Sequence, residues 1–568
     1  MPHLYEKTFK GRTYWYLRET HRVDGKVRLK WQKYLGTPET ILAKIEDAER
    51  AGRPVRLKAE SFGAIFVAHC LEQDLDTIGI IDSIIPRARN EKGPTVGEYF
   101  FYAWANRMID PKSKRALEDW YRTTAIQQIR SVELSDLTSE RYWEKWERLS
   151  SEQIEQSGKL FLQRLWTRYN QSPHCLLFDT TNYYTYMATK TESELAVRGH
   201  NKSGKHHLRQ IGLGLLLDRE SSLPLYYTTY PGNLHDSQLF HRVLDEIFGV
   251  IMGFADGQKD LTVVFDKGMN SKDNIELIDG REHIHFITTY STYFAEDLAR
   301  IKPKHFMLLD TAKNRRLAAM GKEADRLSAF RTTETLWGRE RTVVVTFNPV
   351  TMRKRLYDFT RKLERLRSEL IEYRRKYNRK EHNWQSAKAV IARYRKLCDQ
   401  LHISHKCYRL RFEGSMMSFR KDASEVGAIE ATMGKNIIVT DNHDWSTEQI
   451  VSASLDRYRI EHQFRVSKAS CHVRINPMFH WTDDKIRCHL LTCIIALASL
   501  RLLEIKTGDK YTAKIMVEQM QELDCVLSWQ RKAKKPVVYI EEPTELQAQV
   551  LAALGYQIKD GSVLQIVT

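Results

Sequence analysis

The segment from residue 173 to 290 constrains the fold most, because strand-like and helical patterns follow one another there in a fixed order. The strand-like stretches are "HCLLFDTT", "RQIGLGLLLD", "LPLYYTTYPG", "LTVVFDKG" and "HIHFITTY". The first three follow one another directly, whereas a helical stretch precedes each of the last two. Strands joined by a tight turn pair antiparallel, and strands joined through helices are suited to parallel pairing. The pattern therefore predicts an α/β protein with a mixed sheet flanked by helices.

Basic residues outnumber acidic ones, with 89 Lys and Arg against 72 Asp and Glu and a net charge of +17. An excess this large on a folded chain usually indicates a polyanionic partner, most often nucleic acid, with a membrane surface as the weaker alternative. The longest apolar run, "LLTCIIALASL", is about half a transmembrane span, and no signal-peptide pattern opens the chain. The eight cysteines form no C-x-x-C pair, which disfavours a disulfide framework and a zinc ribbon. A cytoplasmic nucleic-acid-binding protein is expected.

Changes of pattern divide the chain into six predicted regions. Two strand-like stretches near the N-terminus interleave basic and aromatic residues, and an Asp-Gly turn between them predicts a β-hairpin. In chain order, the regions are an N-terminal β-hairpin region (1–58), a helical DNA-binding domain (59–172), the first part of the sheet core (173–299), an insertion (300–435), the second part of the core (436–505) and a C-terminal region (506–568).

The insertion is predicted to contain a pair of helices flanked by the strand-like stretches "RTVVVTF" and "YRLRFEG". Apolar residues recur there at the 3.5-residue period of a coiled-coil seam, and a second helical run at 384–401 could fold back on the first. The seam residues are Leu356, Phe359, Leu363, Leu366, Leu370, Tyr373 and Tyr377. Residues 351–380 hold 12 Lys or Arg against 4 Asp or Glu. A solvated surface and a DNA contact are both open interpretations of this charge.

One carboxylate stands among basic residues in "SLDRYRIEHQFRVSKA", residues 454–469. At about 100° per residue on a helix, Glu461 shares an arc of about 80° with four other polar residues. These are Ser454, Arg457, Arg465 and Lys468. The common explanation is a set of i,i+4 ion pairs on a surface helix, worth only tenths of a kcal/mol. The helix alone does not separate this explanation from a functional carboxylate.

Two aspartates strengthen the functional interpretation. Asp179 ends the apolar strand "CLLF", and Asp266 ends "LTVVF". An Asp in such a position is often only a turn or cap residue, but in helix-flanked sheets the carboxyl ends of strands border the site crevice. Together with Glu461 they would supply hard oxygen ligands for a pair of Mg²⁺ ions. Such a pair can activate water or a 3′-hydroxyl for in-line attack on a phosphodiester.

With these segments the chain resembles the insertion-sequence DDE transposases of the IS-four superfamily. The Glu helix of that family carries Tyr, two residues, Arg, three residues, Glu, six residues and Lys. Arg457, Glu461 and Lys468 match this spacing, and Ser454 departs from it at the Tyr position. "LLFDTTNYY" and "VVFDKGMNS" resemble the two Asp segments of the family. The resemblance covers most of the chain and implies a ribonuclease-H-like core, interrupted by an insertion before the Glu helix.

The resemblance also implies roles for individual residues. Asp179, Asp266 and Glu461 would be catalytic and bind two Mg²⁺ ions, with Mn²⁺ as a substitute. Arg457 and Lys468 would contact phosphates beside the scissile bond. Further DNA contacts are expected from Arg465, Ser454, Lys205, Arg209 and Trp337. Ser454 leaves open whether cleavage passes through a DNA hairpin, and Trp337 could either stack on an extruded base or pack in the core.

A phosphate-binding loop is the main competing motif. "GHNKSGKH" at 199–206 satisfies G-x-x-x-x-G-K, but the next residue is His where Ser or Thr should bind Mg²⁺. The motif also precedes a strand rather than a helix, so no nucleotide site is expected. Basic residues in and after this loop, Lys205 and Arg209 among them, could touch the DNA backbone instead.

These features predict a bacterial, nucleoid-associated DNA transposase. We expect it to bind the terminal inverted repeats of its mobile element and pair two ends as a homodimer. Strand cleavage and strand transfer would depend on Mg²⁺ and would involve neither a nucleotide nor a membrane. Two alternatives stay open: a metal-dependent nuclease of the same fold that cuts without joining, and a catalytically inactive DNA-binding regulator derived from a transposase.

Overall fold

The computed structural model describes residues 2–566 except 24–25, 51–53, 170–173, 188–189, 200–203, 206, 255–259, 293–294, 477 and 531–533. A three-stranded antiparallel sheet in the order β1-β2-β3 opens the chain. Its strands are β1 (His3–Phe9), β2 (Arg12–Val23) and β3 (Lys26–Gly36), followed by α1 (Pro38–Arg50) and β4 (Pro54–Ser61). The two predicted hairpin strands are thus joined by a third, and the Asp-Gly turn lies outside the described residues.

Residues 63–169 are mainly helical. Their helices are α2 (Gly63–Leu75), α3 (Thr77–Ile84), α4 (Val96–Ile109), α5 (Leu117–Tyr121), α6 (Ile126–Ile129), α7 (Ser139–Trp146) and α8 (Ser151–Tyr169). A capping box fixes the start of α4, because the Thr95 hydroxyl accepts from the backbone of Glu98 and the Glu98 carboxylate accepts from the backbone of Thr95. Every α4 side chain from Tyr99 to Ala105 is at most 1% exposed. A helix buried on all sides lies at the centre of its layer.

The elements from residue 175 to 347 form most of the central sheet. They are β5 (Cys175–Thr185), β6 (Val197–Arg198), β7 (Arg209–Asp218), β8 (Pro224–Pro231), α9 (Asp236–Phe254), β9 (Leu261–Phe265), α10 (Lys272–Asp279), β10 (Ile284–Tyr290), α11 (Glu296–Ala299), β11 (Met307–Leu308), α12 (Ala312–Ala319), β12 (Ser328–Leu336) and β13 (Arg339–Phe347). Apart from the two-residue strand β6, the order of strands and longer helices in residues 175–290 is the one that the sequence pattern predicts.

A subdomain of residues 349–434 then interrupts the sheet. It contains α13 (Pro349–Asn378), α14 (Ala387–Leu401), β14 (Tyr408–Glu413), β15 (Met416–Lys421) and α15 (Ala423–Ala431). The predicted seam residues of α13 pack with α14 in a hydrophobic cluster of their own. Where the subdomain joins the sheet, here called the stem, the backbone amide of Asn348 donates to the Gly434 carbonyl at 2.8 Å. Gly434 has φ +76°, and a Cβ there would approach Met352 within 2.6 Å, so the stem requires glycine.

The chain returns to the sheet through β16 (Lys435–Thr440) and continues with α16 (Thr447–Leu455), α17 (Tyr458–Lys468) and α18 (Asp483–Lys506). The C-terminal elements are α19 (Ala513–Gln521), β17 (Asp524–Gln530), β18 (Val537–Ile540), α20 (Glu545–Ala553), β19 (Tyr556–Lys559) and β20 (Ser562–Gln565). Strand β17 pairs antiparallel with β4, which joins the C-terminal region to the N-terminal part of the chain.

Within the residues that the structure describes, the central sheet has ten strands in the order β11-β12-β13-β16-β10-β9-β5-β7-β6, with β8 also paired to β7. Strands β5, β9 and β10 are parallel, whereas β7 and β16 run antiparallel to their neighbours. The predicted mixed α/β sheet is therefore confirmed. Because β13 pairs with β16, the sheet also extends past residue 300, where the insertion was expected to begin.

The two faces of the sheet carry separate hydrophobic clusters. Leu177 and Val264 belong to the cluster that includes α17 and α18, here called the α17 face. Phe178 and Phe265 belong to the cluster that includes α9, here called the α9 face. Helix α18 is long and apolar enough to cross a membrane by length and composition, but 83% of its most apolar window is buried inside the protein. Its packing is that of a core helix.

Candidate active site

Asp179 and Asp266 lie side by side where two parallel strands leave the apolar core. Strands β5 and β9 pair in register from Cys175 with Thr262 to Leu177 with Val264. Extending this register by two residues sets Asp179 beside Asp266, on strands about 4.8 Å apart. Side chains alternate along a strand, so both aspartates lie on the α17 face with Leu177 and Val264. The sheet thus brings two carboxylates to one edge.

Helix α17 is fixed to this edge by three side-chain contacts. The Tyr183 hydroxyl on β5 forms a buried hydrogen bond of 2.6 Å with the Ser467 hydroxyl. Two residues earlier on β5, the Thr181 hydroxyl accepts a hydrogen bond from Lys468 Nζ. At the other end of the helix, Arg457 Nη1 donates to Asp266 Oδ1 at 2.9 Å. The helix therefore spans the ends of β5 and β9 rather than lying free on the surface.

Glu461 lies between these anchoring contacts and on the same side of the helix. At about 100° per residue it is about 40° from Arg457 and about 20° from Lys468. The Glu461 side chain is exposed, and its carboxylate forms no hydrogen bond or ion pair with any residue that the structure describes. The surface ion-pair explanation is therefore not what the structure has, because Arg457 pairs with Asp266 instead.

The charges around Asp266 favour its ionised form. Partial burial raises the pKa of Asp266, but the nearby Arg457 guanidinium and hydrogen bonds from Lys267, Arg457 and Thr289 outweigh it, so the pKa lies below its ordinary value. The Thr289 hydroxyl is 3.4 Å from Asp266 Oδ1. Asp179 accepts a hydrogen bond of 2.8 Å from the backbone amide of Thr180. Asp266 is therefore a carboxylate at neutral pH.

The chemistry of this donor set suits a hard divalent cation, since all three groups offer carboxylate oxygens. Within the described residues, no group of three or more His, Cys, Asp or Glu side chains is close enough together to hold a metal ion. The three carboxylates thus share one face without forming a compact set, and one oxygen of Asp266 is occupied by Arg457. The exposed Glu461 carboxylate is a potential metal ligand that no described side chain binds.

The segment expected to be one helix is two. Helix α16 ends at Leu455 and α17 begins at Tyr458. The Asp456 carboxylate between them accepts from Arg219 Nε at 2.8 Å. A continuous helical wheel therefore does not extend from Glu461 back to Ser454, and the DNA contact of Ser454 stays a prediction. Arg457 has helical φ and ψ, so the wheel remains valid from Arg457 onward.

The remaining predicted DNA contacts are dispersed. Arg465 is exposed and forms no ion pair within the part of the chain that the structure describes. Lys205 Nζ lies 3.9 Å from the Tyr184 ring centroid, and Arg209 Nη1 donates to the Ala196 carbonyl at 3.0 Å. Both lie near the Thr185 end of β5, about 20 Å along the strand from Asp179. Much of the 199–206 loop lies outside the described residues.

Trp337 is not brought to the carboxylates. It occupies the turn between β12 and β13 and packs edge-on against Phe286 and Tyr290, at centroid distances of 6.0 and 5.4 Å. These rings belong to the α9 face, opposite the carboxylates. Of the two roles expected for Trp337, packing is the one that the structure shows, and base stacking stays a prediction.

The hydrogen bond between Tyr183 and Ser467 was not predicted from the sequence. These residues are 284 positions apart, and each belongs to a type that is common on helices and strands. The only available signal was their position, since Tyr183 has the same strand parity as Asp179 and Ser467 adjoins Lys468. Together they hold the Glu461 helix on the strand that carries Asp179.

Comparison with known proteins gives a family match over this region. The model of the transposase DDE domain matches residues 178–498, which is more than half of the chain. The matched range contains Asp179, Asp266 and Glu461 as well as the 349–434 insertion. The chain matches no curated protein.

Two solved structures show a more distant likeness. The piggyBac transposase synaptic complex with hairpin DNA is 8% identical, with a TM-score of 0.38 over 81% of this chain and 79% of that chain. The Mos1 transposase paired-end complex with left transposon end is 11% identical, with a TM-score of 0.15 over 38% of this chain and 64% of that chain. Both TM-scores are too low to establish a shared fold.

Proposed function

The chain belongs to the family of transposases with a DDE domain, and we propose that it cleaves and joins DNA strands at the ends of its own mobile element. The observation that carries this proposal is the position of Glu461. An exposed carboxylate without a partner among the described residues lies on a helix fixed across two strand ends, and those strand ends carry Asp179 and Asp266. An exposed carboxylate that no described side chain neutralises keeps its oxygens available for a metal cation.

Each residue of the site has a proposed role. Asp179, Asp266 and Glu461 would hold two Mg²⁺ ions, which supply activation of the attacking oxygen and stabilisation of the leaving oxygen in phosphodiester chemistry. Lys468 and Arg465 extend the positive charge along α17 and would contact phosphates of the bound strand. Arg457 would hold the Asp266 carboxylate in place through the bond seen in the structure.

The finer assignment rests on the sequence motifs. The spacing of Arg457, Glu461 and Lys468 supports membership of the IS-four superfamily, and the parallel strands β5, β9 and β10 with antiparallel β7 support a ribonuclease-H-like core. We propose cut-and-paste transposition by a homodimer that binds the terminal inverted repeats. The net charge of +17 supports duplex DNA as the partner.

The test is strand cleavage and joining on duplex DNA that carries the element's own ends, with Mg²⁺, for wild type and Glu461→Gln. We expect wild type to cut and join, and the variant to bind the same DNA but do neither. Glu448→Gln on the neighbouring helix α16 serves as the matched control and should behave as wild type. Equal activity of Glu461→Gln and wild type would remove Glu461 from the site. Cutting without joined products would instead identify a nuclease.

A further inference from the structure

The insertion carries a disproportionate share of the positive charge. Residues 349–434, here called the basic arm, hold 21 Lys or Arg and 10 Asp or Glu. The surplus of 11 compares with +17 for all 568 residues. A charge this concentrated in 86 residues costs self-repulsion. It is more than solubility requires, so it points to a polyanion that the arm contacts.

The basic arm has a core of its own, which keeps its surface free for other contacts. Phe359, Leu363, Leu366 and Leu370 of α13 pack with α14 and with the β14–β15 hairpin in a separate hydrophobic cluster. Leu366 and Leu370 are fully buried. Because the apolar stripe of α13 is satisfied within the arm, its opposite face is left to solvent.

That outer face of α13 is a line of cations. With Phe359 set at zero on a helical wheel, Lys354, Arg361 and Arg365 fall at about 200 to 240°, directly opposite the core. All three side chains are exposed. None forms an ion pair with a residue that the structure describes. At about 1.5 Å per residue they span about 16 Å, a length over which duplex DNA presents several phosphates.

The arm is attached at the edge of the sheet that carries the carboxylates. Strand β10 pairs Thr288 with Phe265, so its next residue, Thr289, is level with Asp266. Thr289 pairs with Ile438 of β16, and Ile438 pairs with Val344 of β13, so these residues also lie level with Asp266. Strand β13 then continues in the same direction to Phe347, where α13 follows. The stem lies three strands from Asp266, about 14 Å across the sheet.

From this charge, exposure and position we propose that the outer face of α13 binds the phosphate backbone of duplex DNA without regard to sequence. This proposal rests on the proposed function, because that function places DNA beside the carboxylates. Phosphate contacts by Lys and Arg position a duplex but carry no sequence information. The arm would therefore add affinity for any duplex that crosses the site, whether transposon end or target.

The test uses the full chain without divalent cations, so that binding is measured apart from cleavage. The triple variant Lys354→Gln, Arg361→Gln and Arg365→Gln removes three charges while keeping good helix formers. The probes are a fluorescent 30-base-pair duplex with the element's terminal repeat and a duplex of shuffled sequence, titrated across salt concentrations. We expect the affinity for both probes to fall at least about tenfold, and the slope of log K against log salt to decrease by roughly 3.

A second triple variant controls for net charge. Lys534→Gln, Lys535→Gln and Lys559→Gln remove the same charge from exposed residues of the C-terminal region, and should change affinity by less than about twofold. Equal losses in the two variants would overturn the proposal, because the effect would then be one of overall charge. Loss confined to the terminal-repeat probe would also overturn it, since the arm would then read sequence.

The outcome is separable from that of the proposed function. If Glu461→Gln proves as active as wild type while the α13 variant loses affinity for both duplexes, the DNA contact stands and the catalytic assignment fails. If α13 instead mediates attachment to anionic phosphatidylserine vesicles and leaves duplex affinity unchanged, the arm binds membranes and this proposal is wrong. Circular dichroism of each variant checks that α13 remains folded.

Discussion

Two helices of this protein, α17 and α13, are both rich in Lys and Arg, yet they differ in what they are attached to. Helix α17 is held on the sheet by Tyr183, Thr181 and Asp266, and its single carboxylate, Glu461, has no described partner. The apolar face of α13 packs within its own subdomain, Arg353 near its start pairs with Asp325 just outside it, and its Glu372 pairs with Arg375 at 2.7 Å. Composition is similar, so attachment to the sheet is what distinguishes a candidate catalytic helix from a binding surface.

The largest expected difference is in activity. Asp179→Asn should reduce strand cleavage by about three orders of magnitude, because a metal-binding carboxylate is worth several kcal/mol in the transition state. Glu372→Gln on α13 removes one carboxylate as well, and should leave the rate within about twofold. Cleavage rates on element-end DNA with Mg²⁺ measure both. Similar rates for the two variants would erase the distinction between the helices.

The next largest effect concerns the separate core of the basic arm. Leu366→Ala should destabilise the arm by roughly 2 to 5 kcal/mol, because Leu366 is fully buried and its truncation leaves a cavity. Since that core is separate from those of the sheet, hydrogen exchange should speed up in α13 and α14 but not in β5 or β9. Equal loss of protection in the sheet would show that the two regions unfold as one unit.

A smaller difference between variants of the two helices is expected in how much Mg²⁺ stabilises the protein. At ten times its Kd, Mg²⁺ should stabilise the wild-type protein by about 1.4 kcal/mol, because it binds the folded state. Glu461→Gln should lose most of this gain, whereas Glu372→Gln should keep it. Thermal unfolding at constant ionic strength, with KCl replacing the magnesium salt in the reference, measures the shift. An undiminished shift in Glu461→Gln would place the cation elsewhere.

The smallest effect is expected from the bond that holds α17 on β5. Tyr183→Phe removes a buried hydrogen bond and should cost about 1 kcal/mol, because the Ser467 hydroxyl still donates to the Phe464 carbonyl at 2.8 Å. Cleavage should fall several-fold as the Glu461 helix loosens. Tyr184→Phe, on the other face of the strand, is the matched control. Unchanged unfolding and unchanged cleavage in Tyr183→Phe would show that this bond does not position the helix.

The features that could be predicted from the sequence are those with local causes. Apolar runs and turn residues define β5, β7, β8, β9 and β10 and their order, and the 3.5-residue period defines α13. Asp179 and Asp266 were recognisable because each directly follows an apolar run. Their adjacency follows from the parallel pairing that helix-linked strands favour.

Features with distant causes could not be predicted. The helix is interrupted at Asp456, whose carboxylate binds Arg219, more than two hundred residues earlier in the chain. The face of the sheet on which Trp337 packs depends on the register of β13 with β16. The pairing of β17 with β4 joins residues nearly five hundred positions apart. In each case the deciding contact is absent from any local window of sequence.

The geometry of the stem suggests that the whole basic arm can be removed without breaking the sheet. The arm leaves from Phe347 and returns at Lys435, and these two residues are paired on neighbouring strands, about 5 Å apart in an antiparallel ladder. That gap is one that a two-residue Asn-Gly turn closes in an ordinary hairpin. The sheet therefore needs no more than a turn at this point. We expect a variant in which an Asn-Gly turn replaces residues 349–434 to form a folded sheet. We also expect whole subdomains to be inserted, exchanged or lost at this position during evolution.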